Sequence, residues 1–396
     1  MRTHFPTLAA GLLAALLAAC GGGNAGDATV ANPATRIDEM ANSARAIESI
    51  AFDGSNVYLS LGNATTSATS VMKSVGSVGL ASQWTPMAAS SCDLPMLGPD
   101  DYPRAARLKQ LNGKMWLYQP AYGGPQEHAL CALDSATSSW VAKDDGLRVC
   151  QNGYCDLLWM NDLQAAGTRL LSNAGAGQNL LLSDDAGASW KPVIGRLDAF
   201  SCTHQAFAIV GTRVLVGGEC PLDEAYLRAY ALTADGSALA SPVALPMTLP
   251  NLENRNIQFI TAIAGTERVF AGVEGGLLRS DDGGKTFTFA IQFGLADKRY
   301  PYVTQLLSPK GQPNVVIAAG FDKASGKPYL SWSNDGGKQW TELSALLPRY
   351  ARSSPTDDLT AQVTSLAEDP RGRIFLTMND EPERKGRLLL LTLGKP

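Results

Sequence analysis

Apolar residues in this chain come in short runs, some alternating and some continuous, and a turn former closes most of them. Val57-Tyr58-Leu59-Ser60-Leu61, Val214-Leu215-Val216, Val269-Phe270-Ala271-Gly272-Val273 and Val315-Val316-Ile317-Ala318-Ala319 are of this kind, bounded closely by Gly, Asn, Asp or Pro. Runs of this length with such boundaries predict β-strands rather than helices. Three more follow near the C-terminus, at Val363-Thr364-Ser365-Leu366-Ala367, Arg373-Ile374-Phe375-Leu376-Thr377 and Leu388-Leu389-Leu390-Leu391. Helical spacing is rare; residues 37–50 are the candidate short helix. The Asn/Ser/Thr/Ala stretch at 63–70 and the Pro-rich stretch at 94–103 are expected as surface loops. The pattern predicts an all-β chain.

Three segments then repeat one pattern, Ser-x-Asp-x-Gly-x-x-aromatic. They carry Ser183, Asp185, Gly187 and Trp190; Ser280, Asp282, Gly284 and Phe287; and Ser333, Asp335, Gly337 and Trp340. The chemistry is that of a tight hairpin: the Asp accepts from backbone N–H groups of its own turn, and Gly supplies a positive-φ position. The interval from Trp190 to Phe287 is nearly double that from Phe287 to Trp340, so a repeat unit of roughly 50 residues is skipped once. Eroded copies fall at that spacing, ending at Trp140 and at Trp84, and the skipped one lies near Asp235-Gly236.

The repeat resembles the Asp-box of the sialidase-type (BNR) β-propellers, where it joins the last two strands of a blade. The resemblance implies an all-β propeller. The spacing makes seven blades the expectation, with six or eight the range left by the eroded copies. The last unit stops after three strands, and propellers close by borrowing a strand from the other end of the chain, which removes an exposed edge. Residues 28–36 are the expected source.

The N-terminus adds a compartment. Met1-Arg2-Thr3-His4 is basic, an apolar run follows from Leu8, and Leu17-Ala18-Ala19-Cys20-Gly21 resembles a bacterial lipobox. That implies a lipoprotein signal peptide at 1–19, lipid on Cys20, a flexible tether at 20–35 and the propeller at 36–396. Gly21 is not the Asp that favours inner-membrane retention, which points to the outer membrane, on its periplasmic or its surface side. The other six cysteines fit an exported chain. Neighbour pairing gives Cys92–Cys131, Cys150–Cys155 and Cys202–Cys220, among the 15 connectivities six cysteines allow. A metal site at Cys150 and Cys155, or one drawing on Cys202 and His204, is the alternative. No metal or other cofactor is expected.

Charge narrows the partners. A net charge of −4 without a Lys/Arg cluster argues against nucleic acid. Sialidase resemblance would imply three arginines on a substrate carboxylate, a Tyr–Glu nucleophile pair and an Asp acid/base. The family's Phe/Tyr-Arg-x-Pro motif is absent; Tyr102-Pro103-Arg104 has those types in another order. Arg299, Arg349 and Arg352, beside Tyr300, Tyr302 and Tyr350, are the candidates, against a reading as solvated surface arginines. Two carboxylates across a cleft, as in xyloglucanases of this fold, would come from Asp156, Asp162, Asp357 or Asp358. His128 and His204 are the histidines left for a Ser-His-Asp site after the leader. None of these sets is assigned as catalytic. Trp116, Trp159 and Tyr122 would be the platform of a carbohydrate-binding propeller, against a reading as blade core. The expectation is a non-catalytic binding or assembly module at a membrane, with a protein partner or a glycan. A sialidase-type exo-glycoside hydrolase and a carbohydrate-binding propeller are the alternatives.

Overall fold

In the computed structural model, residues 34–394 are described except for internal stretches, the longest at 95–104, 121–127, 195–201, 232–243 and 349–360. The leader, Cys20 and the tether therefore lie outside the described residues, as does the eroded turn at Asp235. Seven four-stranded antiparallel sheets form a seven-bladed β-propeller. The first strands of the blades are Ile47–Asp53, Arg107–Leu111, Leu163–Ala166, Ala206–Val210, Ile257–Ala262, Pro301–Leu307 and Ala361–Glu368, and residues of all seven blades surround one axial cavity. A two-stranded ladder, Cys150–Gln151 with Tyr154–Cys155, sits between blades 2 and 3.

The strand sequences follow from one requirement. A blade has a neighbour on each side, so both faces of its sheet must be apolar, and there are seven inter-blade clusters to match. Leu181 packs toward blade 2 with Trp116 and Leu130, while Leu180 and Leu182 pack toward blade 4 with Val214 and Val216. Leu215, between those two valines, faces blade 5. Continuous apolar triplets are what alternation becomes when neither face meets water.

The ring closes as expected, but with a different segment. Arg36–Ser43 pairs antiparallel with the last strand, Lys385–Thr392, setting Ile37 opposite Leu391 and Glu39 opposite Leu389. Residues 28–33 lie outside the described residues, and Pro33 could not donate to the ladder. Met40 and Ala41 pack against the blade 7–blade 1 cluster. The short helix expected at 37–50 is thus replaced by this closing strand and by Ile47–Asp53. Spacing of Ile37, Met40, Ala41 and Ile47 fits a helix, but the open edge of blade 7 offers backbone hydrogen bonds that override local propensity. The loop expected at 63–70 is corrected at its ends, where Asn63 closes the strand Asn56–Asn63 and Ala68–Val75 is a strand, while 64–67 lie outside the described residues. Ala68–Val75 is braced where Thr69 N–H donates to Leu94 O at 3.1 Å and Thr69 Oγ1 accepts from Ala106 N–H at 2.9 Å. Leu94 itself is buried.

Each full repeat turn joins the third and fourth strands of its blade, in blades 3, 5 and 6. The Ser hydroxyl accepts from the Gly N–H at 2.8 Å in the first (Ser183, Gly187), 2.9 Å in the second (Ser280, Gly284) and 2.8 Å in the third (Ser333, Gly337). It also donates to the Asp, at 2.7 Å for Ser183 and Ser280 and 2.8 Å for Ser333. The Asp in turn accepts from the N–H of Ser189 at 2.9 Å, of Thr286 at 2.9 Å and of Gln339 at 3.0 Å. These Gly residues have φ of 85°, 79° and 87°, and each rests on the second strand of the preceding blade. A Cβ there would stand 2.6 Å from Trp116 at Gly187, from Leu215 at Gly284 and from Phe270 at Gly337. Trp190, Phe287 and Trp340 enter those same inter-blade clusters.

Disulfides join Cys92 to Cys131, with Cα atoms 6.3 Å apart, and Cys202 to Cys220, at 4.1 Å. Their pairing removes Cys202 from any metal set. Cys150 is the register partner of Cys155.

Two predictions follow from the turns. Gly284→Ala combines left-handed strain with a clash on Leu215, and should cost about 2–5 kcal/mol. Gly54→Ala, at φ 54° with open space around it, should cost only about 1–2 kcal/mol; chemical denaturation separates them. The second concerns acid. The Ser189 hydroxyl and N–H, then Ser183, hold the Asp185 carboxyl down at about 2, and the Gln339 N–H first among its partners lowers Asp335. A depressed folded pKa contributes stability that is complete above the unfolded value near 4 and is lost as pH falls through the folded one. The thermal midpoint should therefore drop between about pH 4 and pH 2, and the double variant Asp185→Asn, Asp335→Asn should show a shallower drop.

Candidate functional site

The axial cavity encloses about 450 Å³, within the range of small-ligand sites. It is wet by composition. Whereas inner blade strands are apolar on both faces, polar residues of the first strands, or next to them, are among those that line it: Arg107, Lys109, Gln110, Gln205, Gln258, Thr261, Thr304, Gln305 and Ser365.

The charged groups cluster on blades 1 to 3. Glu48, on the first strand, is almost fully buried; it receives Arg107 Nη2 at 3.3 Å, with Asn379 Nδ2 at 3.5 Å. Burial opposes the Arg107 charge, but Glu48 and the neighbouring Tyr118 and Asp162 outweigh it and hold its pKa above the ordinary value. Asp162 Oδ1 accepts from Lys109 Nζ at 2.7 Å and from Leu163 N–H at 2.8 Å, with Tyr118 OH at 3.5 Å. Its Oδ2 accepts from Gln164 Nε2 at 3.0 Å. The same Gln164 nitrogen donates to Ile260 O at 2.9 Å, tying blade 3 to blade 5 past the first strand of blade 4. Burial, then Asp162, pushes the Tyr118 phenol well above its usual pKa.

A second cluster lies where the first strand of blade 6 begins. Arg299 Nε donates to Asp322 at 2.6 Å and Nη2 to Glu342 at 2.7 Å, and the guanidinium stands 5.4 Å over Phe293. Glu342 first, then Asp322 against burial, raise the Arg299 pKa. Tyr302 stacks on Phe321 at 5.0 Å, with Tyr300 edge-on at 5.7 Å.

The sequence candidates are therefore dispersed. Arg299 is bound to two carboxylates, and Arg349, Arg352 and Tyr350 lie outside the described residues. Asp162 does line the axial cavity; Asp156, Asp357 and Asp358 lie outside the described residues. Trp116 is 1 % exposed and belongs to the blade 2–blade 3 core, which removes it as a sugar platform; Trp159 and Tyr122 lie outside the described residues. His128 Nδ1 is 3.2 Å from Asp144, and His204 is buried against Tyr226. Among the described residues no three His, Cys, Asp or Glu side chains are placed to hold a metal ion. Glu48, Arg107, Lys109 and Tyr118 were missed. Their signal was polarity inside otherwise apolar strands, legible only once the axial strand of each blade is known.

No protein-family model matches the chain, and no curated protein is similar to it in sequence. Solved structures are similar in fold. YCF48 from Cyanidioschyzon merolae matches with a TM-score of 0.51 and 12 % identity, over 90 % of this chain and 98 % of that one. A structure described as YCF48 bound to D1 peptide matches at 0.51 and 14 %, over 92 % and 98 %. An ancestral GH74 enzyme matches at 0.52 and 11 %, over 91 % of this chain but 49 % of its own. The class is thus the seven-bladed β-propeller; at these identities the likeness reaches the fold and stops there.

Glu48→Ala removes the buried partner of Arg107, whose side chain keeps 18 % exposure beside the axial cavity. It should destabilise the protein by about 1–3 kcal/mol, whereas Arg36→Ala, from an exposed pair with Asp38, should cost under about 1 kcal/mol; thermal and chemical unfolding measure both.

Proposed function

We propose that this chain is a membrane-anchored lipoprotein of the Asp-box (BNR) propeller type, acting as a non-catalytic binding or assembly module at the bacterial outer membrane, in the periplasm or at the surface. In this reading residues 1–19 are a signal peptide, lipid is carried on Cys20, 20–35 is a tether and 36–396 is the propeller. The lipobox-like Leu17-Ala18-Ala19-Cys20 and the Gly-rich segment after it support the anchor. A rigid disc on a tether presents a face already ordered before binding, which lowers the entropic cost of association.

The observation that carries the non-catalytic reading is the state of the axial carboxylates. A glycosidase needs one carboxyl to give a proton and a second to act as base or nucleophile. Asp162 is engaged by Lys109, Gln164 and a backbone N–H, and Glu48, beside the lining, by Arg107 and Asn379, so both serve as posts of the site. Glu368, the other carboxylate of the described lining, accepts from Lys310 N–H and has no second uncommitted carboxylate to work with. The full-length likeness to YCF48, one structure of which holds D1 peptide, favours a protein partner over a glycan. The partial likeness to an ancestral GH74 enzyme supports the hydrolase alternative more weakly.

Crosslinking in the native membrane, followed by affinity capture and mass spectrometry, should return a stoichiometric protein partner. Cys20→Ala should move the protein from the detergent to the aqueous phase and abolish the capture. Cleavage of sialosides or xyloglucan by the purified chain, with no captured partner, would replace this reading with the hydrolase.

A further inference from the structure

Four glutamines reach the axial cavity from four blades: Gln110 on blade 2, Gln205 on blade 4, Gln258 on blade 5 and Gln305 on blade 6. Gln164 and Gln119 are tied into the protein. The four are not: among the described residues none of their side chains hydrogen-bonds to the protein. Each carboxamide brings a donor and an acceptor together. They are also spread along the channel. Gln205 immediately precedes the strand Ala206–Val210 and Gln258 is near the start of Ile257–Ala262, whereas Gln110 and Gln305 lie toward the ends of Arg107–Leu111 and Pro301–Leu307. All seven first strands run the same way along the axis, because each blade repeats the same antiparallel order. The lining residues carry two cations, Arg107 and Lys109, and two carboxylates, Asp162 and Glu368. Lys109 pairs with Asp162, Arg107 with Glu48 beside the lining, and Glu368 accepts from Lys310 N–H at 2.7 Å.

We propose that the axial channel binds an extended, uncharged peptide segment through its main chain, with Gln110, Gln205, Gln258 and Gln305 pairing to its C=O and N–H groups. The proposal rests on the partner-binding reading above and names what part of the partner enters. Main-chain pairing supplies affinity with little demand on sequence, and a lining with as many cations as carboxylates gives a charged ligand no net attraction. A neutral saccharide would share the carboxamides but also needs an exposed aromatic face to stack on. Of the aromatics in the described lining, Tyr118 and Phe207 are buried, and the half-buried Phe52 and Phe259 pack on the protein, Phe52 on Phe375 at 5.4 Å and Phe259 over Gly272, so none stands out as a stacking platform.

The test uses the full chain and saturation-transfer NMR with three probes. They are a short alanine–serine peptide blocked at both ends, the same peptide N-methylated at alternate residues, and a neutral chito-oligosaccharide. The blocked peptide should bind, N-methylation should abolish the transfer, and the oligosaccharide should give none. The double variant Gln258→Glu, Gln305→Leu, with its unfolding midpoint checked, should weaken the peptide by about tenfold, as two lost hydrogen bonds require. Gln258→Glu alone, nearly isosteric, covers the case in which the double variant unfolds, and should weaken it by at least threefold. Saccharide binding without peptide binding, no binding by either probe, or peptide binding unchanged in the variants overturns the proposal. Repeating the membrane capture with the variant separates the two ideas. A partner retained by the variant sinks the channel alone, and a partner absent from the wild type sinks the binding-module reading.

Discussion

Burial of both faces of every blade is the constraint on which this molecule depends. A single four-stranded sheet has no partner layer of its own, so each blade borrows its core from the blades beside it. The result is seven inter-blade clusters arranged as a ring, with no cluster confined to one sheet. The repeat turns act at the same seams. Gly187, Gly284 and Gly337 press backbone onto Trp116, Leu215 and Phe270 of the preceding blade, and the aromatic that ends each pattern enters the same seam. The Asp and Ser of the pattern hold the turn in the shape that allows this approach, so the motif is a device for joining blades. The same geometry takes it out of the running as chemistry.

A ring built this way needs its last seam closed, and the N-terminal strand does so. Pairing of Arg36–Ser43 with Lys385–Thr392 converts an exposed edge into an interior ladder. Side chains add a second tie between blades 7 and 1: Ile47 N–H donates to Asn379 Oδ1 at 2.8 Å, and Thr364 Oγ1 to Ile47 O at 3.0 Å. With the seams carrying the stability, the axial strands are released from the apolar rule. Their inner side chains meet water and each other, and that is where Arg107, Lys109, Asp162 and the glutamines reside.

The division between what was legible and what was not follows the same line. The repeat, the strand runs, the three-stranded last unit and the neighbour pairing of Cys92 with Cys131 and Cys202 with Cys220 could be read because each is local in sequence or periodic. The closing strand was misread as helix because residues 37–50 have helical spacing, and only an edge some 350 residues away decides between the two. The charge cluster was illegible for a related reason. Glu48 and Arg107 meet because their blades are neighbours, and nothing in the spacing of two residues on different repeats says which strand of each blade is axial.

The eroded turn of blade 2 shows which parts of the motif the ring requires. Asp134 still accepts from Ala136 N–H at 2.9 Å and from Thr137 Oγ1 at 3.0 Å, and Trp140 is still buried in the blade 1–blade 2 seam. The glycine is gone: Thr137 stands three residues before the aromatic, where the pattern has it, and the left-handed φ, 53°, falls one residue later on Ser138. A turn carboxylate and an aromatic wedge are thus enough where the neighbouring blade does not need close backbone approach. That tolerance lets individual blades diverge in sequence while the ring persists. It also explains why a chain can keep this fold at about one residue in eight shared with other propellers. What sets such proteins apart must then be sought at positions the seams do not constrain, foremost the polar residues lining the axis.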